Sequence, residues 1–122
     1  MKATDYCTVI TTTDNEENAQ LITRTLLEEE LVACVQAFRI TGSYRWKGQI
    51  VTAEEIRLDI KTKVSLFSRV KERIETLHTY DVPEILMYLM DDAKFDYLRW
   101  IEKETLQPAI EEKPDETVWR QG

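Results

Sequence analysis

The chain contains one histidine, two cysteines and three glycines among 122 residues, and each shortage removes a class of function. Two cysteines, Cys7 and Cys34, are too few for the disulfide framework of a small secreted domain. Reduced thiols and an intracellular setting are therefore expected, although the two could form one bridge. No apolar run approaches the length of a membrane-spanning helix, and no apolar signal segment follows Met1-Lys2-Ala3-Thr4-Asp5. There is no glycine-rich phosphate loop, no nucleophile elbow and no Ser-His-Asp order, so no enzyme class is indicated. Basic residues are outnumbered, 16 Lys and Arg against 23 Asp and Glu, which leaves a net charge of −7 and a pI near 4.8. Without a Lys/Arg cluster, a duplex nucleic acid is not an expected partner. An acidic surface also disfavours anionic membranes and suits the attraction of cations.

What is present fits one domain, residues 1–106, followed by a tail, 107–122, whose prolines and acidic residues predict partial order. Tyr6 to Thr13 is rich in β-branched and aromatic residues and reads as a strand. Asp14 is placed to cap a helix, with Glu17 in the capping-box position; Ala19, Ile22 and Leu26 form its apolar stripe. The helix runs into Glu28-Glu29-Glu30, which opposes its dipole and reads either as a solvated end or as a site for a cation or basic partner. A long second strand is expected from Leu31 to Trp46, with Gly42 as a bulge or bend, then a Lys47-Gly48 turn and a third strand from Gln49 to about Lys61. In this third strand Ile56, Leu58 and Ile60 alternate with Arg57, Asp59 and Lys61, so one face is buried. Phe67, Val70, Ile74 and Leu77 predict a second helix ending at His78. The apolar stretch Glu84 to Met90 predicts a strand buried on both faces. Asp92 is placed to cap a third helix, Ala93 to Thr105, with Tyr97, Leu98, Ile101 and Thr105 on one face and Trp100 nearly opposite. The order β-α-β-β-α-β plus a helix predicts the α+β, ferredoxin-like sandwich with a long β2–β3 hairpin.

Two stretches are more specific than this pattern. One is Ser43-Tyr44-Arg45-Trp46-Lys47-Gly48-Gln49-Ile50, running on to Glu55 and Lys61-Thr62; the other is His78-Thr79-Tyr80-Asp81-Val82-Pro83-Glu84. Together with Leu31-Val32-Ala33-Cys34-Val35 and Tyr97-Leu98-Arg99-Trp100-Ile101, their order and spacing resemble the CutA family, small proteins named for divalent-cation tolerance. The resemblance covers residues 6 to 103. It implies a cytoplasmic homotrimer whose hairpins pair with neighbouring subunits, burying Tyr44, Trp46 and Trp100 at the trimer interface. It also implies an association with copper and other divalent cations, with no required cofactor and no settled enzymatic activity. The chain departs from the family's pattern at Thr79, where a proline is usual, and at Arg57 and Asp59, where relatives are often apolar.

The candidate metal ligands are Cys34, His78 and Glu84. Cys34 reads equally as a small buried hydrophobe and as a soft thiolate suited to copper. Cys7, in a strand expected to be central, reads as core. Imidazole is a common transition-metal ligand, yet a protonated His78 at a helix C-terminus would be stabilised by the dipole alone. Ligand spacing typical of a closed zinc site is absent, so any metal site would be open and assembled from distant segments. Tyr44, Trp46, Lys61 and Tyr80 are candidate cleft residues. Lys61-Thr62 could hold an anion at the start of the second helix, or Thr62 could simply cap it. The leading expectation is a homotrimer that binds Cu(II) or another divalent cation. The alternative is a ligand-sensing or scaffold trimer that takes a small anion or metabolite between subunits, through Arg45, Lys47 and Lys61.

Overall fold

The structure, a computed structural model, describes residues 1–107; the expected tail, with Trp119, lies outside them but for Gln107. In chain order the elements are β1 (Tyr6–Thr13), α1 (Glu16–Glu28), β2 (Cys34–Trp46), β3 (Gln49–Lys63), α2 (Phe67–Leu77), β4 (Ile85–Leu89) and α3 (Phe95–Glu104). Short 3-10 turns precede β1 and α2. The strands form an antiparallel four-stranded sheet in the order β2-β3-β1-β4, the α+β arrangement expected.

Strand alternation divides the core in two. Cys7, Val9, Leu58 and Ile60 point to the side where α1 and α2 lie, packing with Ile22, Leu26, Val70 and Ile74. Tyr6 faces the other way and packs with Leu98 and Ile101 of α3. The third helix therefore crosses to the second face of the sheet, at one end only. A polar network holds it there. The Tyr6 hydroxyl donates to Glu102 Oε1 at 2.6 Å, and the buried Lys63 ammonium donates to Glu102 Oε2 at 3.1 Å and to the Leu106 carbonyl at 3.0 Å. The hydrogen bond from Tyr6, with Lys63 beside it, holds the Glu102 carboxyl below the usual range, and burial followed by Glu102 pushes the Tyr6 phenol up.

Several local expectations change, each for an identifiable reason. Asn15, not Asp14, caps α1, its side chain accepting from Asn18 N–H at 2.8 Å. The cap sits one residue later because Asn18 is buried and doubly bonded, accepting from Thr13 Oγ1 and donating to the Leu77 carbonyl, which ties the start of α1 to the end of α2. Glu29 is no open cation site: Arg73 of α2 clasps it, with contacts from 2.9 Å, and this lowers the Glu29 pKa. β2 begins at Cys34, because Leu31 and Val32 turn into the core first. Gly42 makes no bulge; the register runs unbroken through Gly42–Ala53. The hairpin closes through Lys47 (φ 52°) and Gly48 (φ 80°), the paired positive angles of a tight two-residue turn.

At its other end β3 continues to Lys63, with Thr62 inside the strand, opposite Cys7. Thr62 Oγ1 donates to the Leu31 carbonyl at 2.6 Å, so Lys61-Thr62 neither caps a helix nor forms an anion site at its start. α3 begins at Phe95 without Asp92 as its cap; the Asp92 carboxylate accepts from Ala93 N–H instead. β4 is not buried on both faces of the protomer, since Leu86, Tyr88 and Leu89 are all exposed.

Leu58 is fully buried on β3 between the helices and the sheet's central pair. Leu58→Ala should lower the unfolding free energy by roughly 2–5 kcal/mol, read as a lower urea midpoint with an unchanged slope.

Candidate functional site

The hairpin arm and the segment after α2 enclose a cleft of about 540 Å³. Its walls come from β2 and β3 (Ile40, Gly42, Ser43, Tyr44, Trp46, Glu55) and from Thr12 with the turn Tyr80, Asp81, Val82 and Glu84. The expected cleft residues Tyr44, Trp46 and Tyr80 thus meet. Lys61 does not join them. It lies level with Cys34 on the neighbouring strand and donates to Gln36 Oε1 at 2.6 Å.

Glu55 forms the floor. Its side chain leans from β3 across β2 to lie over Gly42, and a Cβ at position 42 would collide with its Oε1. This close approach gives Gly42 its task, which the sequence suggested was a bend. The Tyr80 hydroxyl donates to Glu55 Oε2 at 2.8 Å. Burial first, then this bond and the charge of Glu55, pushes the Tyr80 phenol well above its ordinary value. Glu55 drew notice in the sequence only as part of a motif; alternation on β3, with its buried neighbours on the helix side, gave no sign that it would be buried on the opposite face.

His78 stands behind the cleft, not in it. It terminates α2, and both ring nitrogens are engaged: Nε2 with the Thr12 carbonyl at 2.8 Å, Nδ1 accepting from Tyr80 N–H at 3.0 Å. Because a carbonyl only accepts and an amide N–H only donates, these partners select the neutral tautomer with the proton on Nε2. Burial lowers the His78 pKa, and the bond to Thr12 and the nearby Asp14 only partly offset this. The expected protonated histidine capped by a helix dipole is thus replaced by a neutral one that fastens the Tyr80 turn to β1.

The three candidate ligands do not converge. Cys34 is level with Lys61 and Thr8, at the α3 end of the sheet, whereas His78 binds at Thr12. Four strand positions separate these levels, about 13 Å at 3.3 Å per residue. Glu84 lines the cleft mouth beside Asp81. Among the described residues, no group of three or more His, Cys, Asp or Glu side chains could hold a metal ion. Cys34 and Cys7 are both free thiols. Cys7 is buried, and burial raises its pKa to about 11, as fits a core residue. Cys34 is half-buried and close to the Tyr97 hydroxyl, whose pKa is raised by burial and then by the thiol. Tyr97 is not wholly in the core; it stacks on Trp100 at 5.7 Å, and both rings remain exposed.

Beyond α3, the second face of the sheet shows Phe38, Leu86 and Tyr88 to solvent. Arg57 lies over Phe38 at 5.2 Å and pairs with Asp59 at 2.7 Å, so the polar residues noticed in β3 satisfy each other. Among the described residues no helix is long and apolar enough to cross a membrane.

The native His78 binds fewer protons than an unfolded one between its lowered pKa and the ordinary value of 6.5. Its share of stability is therefore full above that value and is lost as pH falls through the native pKa. His78→Gln should flatten the decline in unfolding free energy on acidification below about pH 6.5, measured by urea titrations at successive pH values.

Residues 7–104 match the family model described as CutA1 divalent ion tolerance protein. The chain is 40% identical over 97 residues to the divalent-cation tolerance protein CutA of Pyrococcus horikoshii, covering 80% of this chain and 95% of that one. The crystal structure of CutA1 from Pyrococcus horikoshii superposes with a TM-score of 0.80 at 38% identity, over 83% of this chain and 99% of that one. A structure described as the periplasmic divalent cation tolerance protein CutA from Archaeoglobus fulgidus does so with a TM-score of 0.79 at 29% identity, over 81% and 97%. The chain belongs to the CutA family of divalent-cation tolerance proteins.

Proposed function

We propose that the protein is a homotrimer that contributes to tolerance of divalent metal ions and binds copper or another divalent cation. The observation that carries the assembly is the half-covered sheet. Phe38, Leu86 and Tyr88 on its second face, Ile50 at 74% exposure near the hairpin tip, and the Trp100 ring all lack cover among the described residues. Apolar exposure on this scale marks a contact surface. A four-stranded sheet with two edges and a protruding hairpin also offers unpaired backbone to a neighbouring copy. Burying Tyr44, Trp46 and Trp100 in that contact is part of the proposal.

Metal binding is supported by the family, by the net charge of −7 and by accessible donors at two places: the Cys34 thiol, and the Asp81 and Glu84 carboxylates at the cleft mouth. Cys34 suits a soft ion and the carboxylates a harder one. His78 is assigned a structural task, because ligation would cost one of its two hydrogen bonds. With no three donors converging among the described residues, further ligands would come from a neighbouring subunit or from water. No catalytic role is proposed. Cytoplasmic residence goes with this reading, as two unpaired cysteines fit a reducing compartment.

The anion alternative loses support at this site. Neither Arg45, Lys47 nor Lys61 lines the cleft, and its ionisable lining is acidic or phenolic.

Sedimentation equilibrium should return three times the 14.4 kDa chain mass; a monomer at micromolar concentration would refute the assembly. In Cu(II) calorimetry, Cys34→Ser should weaken the tightest binding by roughly tenfold or more, equivalent to about 1.4 kcal/mol, whereas His78→Ala should leave affinity within about twofold and lower stability instead. Unchanged weak binding in wild type and both variants would leave only surface carboxylates as the metal contacts.

A further inference from the structure

The turn between α2 and β4 hangs on one residue. Among the described residues, 79–84 make no backbone–backbone hydrogen bond. Their tethers are the two at Tyr80: the N–H donates to His78 Nδ1 at 3.0 Å, and the hydroxyl donates to Glu55 Oε2 at 2.8 Å. His78 is itself held to β1 through the Thr12 carbonyl, and its ring lies 4.9 Å from that of Tyr80. A segment with so few bonds of its own opens at lower free energy than the sheet behind it.

One of those tethers exists in only one protonation state. Nδ1 accepts from the Tyr80 N–H while the imidazole is neutral; the imidazolium carries a proton there and turns a donor towards a donor. The Nε2 bond to Thr12 survives protonation, because that nitrogen donates in both forms. A proton therefore acts on the turn and leaves the anchor on β1 in place. Few groups modulate it. Asp14, in the link from β1 to α1, favours the charged ring. The Tyr80 phenol, pushed up first by burial, stays neutral, and Glu55 lies beyond it. Asp81 lines the cleft, and the nearby contact of α1 with α2, Asn18 on the Leu77 carbonyl, is uncharged. As the chain's sole histidine, His78 is the one side chain whose ordinary range of titration lies between about pH 5 and 8.

We propose that His78 is a proton-operated latch. Neutral, it holds the turn 79–84 against β1 and the hairpin arm; protonated, it frees the Tyr80 N–H and releases the turn. The latched ring has a lowered pKa, so the latch is closed above the ordinary value of 6.5 and is lost as pH falls through the lowered one. The turn shares its cleft with Tyr44 and Trp46, the rings assigned above to the contact between copies. In that respect the inference rests on the proposed trimer: acid loosens the contact from within each chain.

Hydrogen exchange of the Tyr80 amide, followed by NMR from about pH 7.5 to about pH 5 and corrected for the intrinsic rate, tests the latch. Protection should be constant above about pH 7 and fall below it by at most about tenfold per pH unit, the limit for one proton, before levelling. At every pH it should lie below that of β1 amides, which marks local release rather than global unfolding. His78→Gln should abolish the pH dependence of this release. Asp14→Asn, at an exposed position that does not cap α1, should move the transition to lower pH. If His78→Gln does not fold, the wild type and Asp14→Asn decide the matter. A flat Tyr80 profile, one unmoved by Asp14→Asn, or protection equal to that of β1 overturns the latch. In sedimentation equilibrium, association should weaken between the same pH limits several-fold more in wild type than in His78→Gln. Equal weakening overturns the tie to the assembly. A monomer at neutral pH counts against the trimer alone, and the exchange profile then decides the latch.

Discussion

A sheet with two apolar faces and helices enough for one and a half of them governs this protein. α1 and α2 cover the part of one face that holds Cys7, Val9, Leu58 and Ile60. α3 covers the Tyr6 end of the other and stops. The remainder carries Phe38, Leu86 and Tyr88, together with a hairpin arm whose strands run on past the helices. Among the described residues this apolar surface is left in water, which forfeits the main favourable contribution to folding. The proposed trimer would cover that surface, which also carries the ion pair of Arg57 and Asp59.

The cleft is a second consequence of the same geometry. Because β2 and β3 outrun the helices, their far halves have no helical layer above or below them. The turn after α2 folds back against this uncovered length. His78 fastens it through the Thr12 carbonyl, and Tyr80 reaches Glu55. The result is a carboxylate buried among aromatic rings at the root of an arm, a place where polar burial is costly and where ligand sites are common. Cys34 is the other accessible donor of note, but it belongs to the opposite end of the sheet, against α3.

Much of the fold was legible in the sequence because its signals are local. β-branched runs, period-two alternation in Ile56, Leu58 and Ile60, and the Phe67–Val70–Ile74 stripe each depend on a few neighbouring residues. Where local signals competed, the structure chose by tertiary contact. Asn15 took the cap from Asp14 because Asn18 had to face Thr13 and Leu77. Thr62 stayed in β3 because its hydroxyl serves the Leu31 carbonyl. Gly42, read as a bend, is a straight strand position kept bare for a side chain on the next strand.

The site was legible only in part, for the same reason. The sequence by itself determined the element order, the family, the acidic charge and the nomination of Tyr44, Trp46 and Tyr80 for one cleft. It could not show that Lys61 would be directed to Gln36, that Cys34 and His78 would sit at strand levels about 13 Å apart, or that both imidazole nitrogens would be engaged. Only the tertiary structure decided that Glu55 is buried without a cationic partner among the described residues. Periodicity reports which residues share a face of one element. Which groups meet across elements depends on register and on the path of the connecting turns, and neither is written in any short window of sequence.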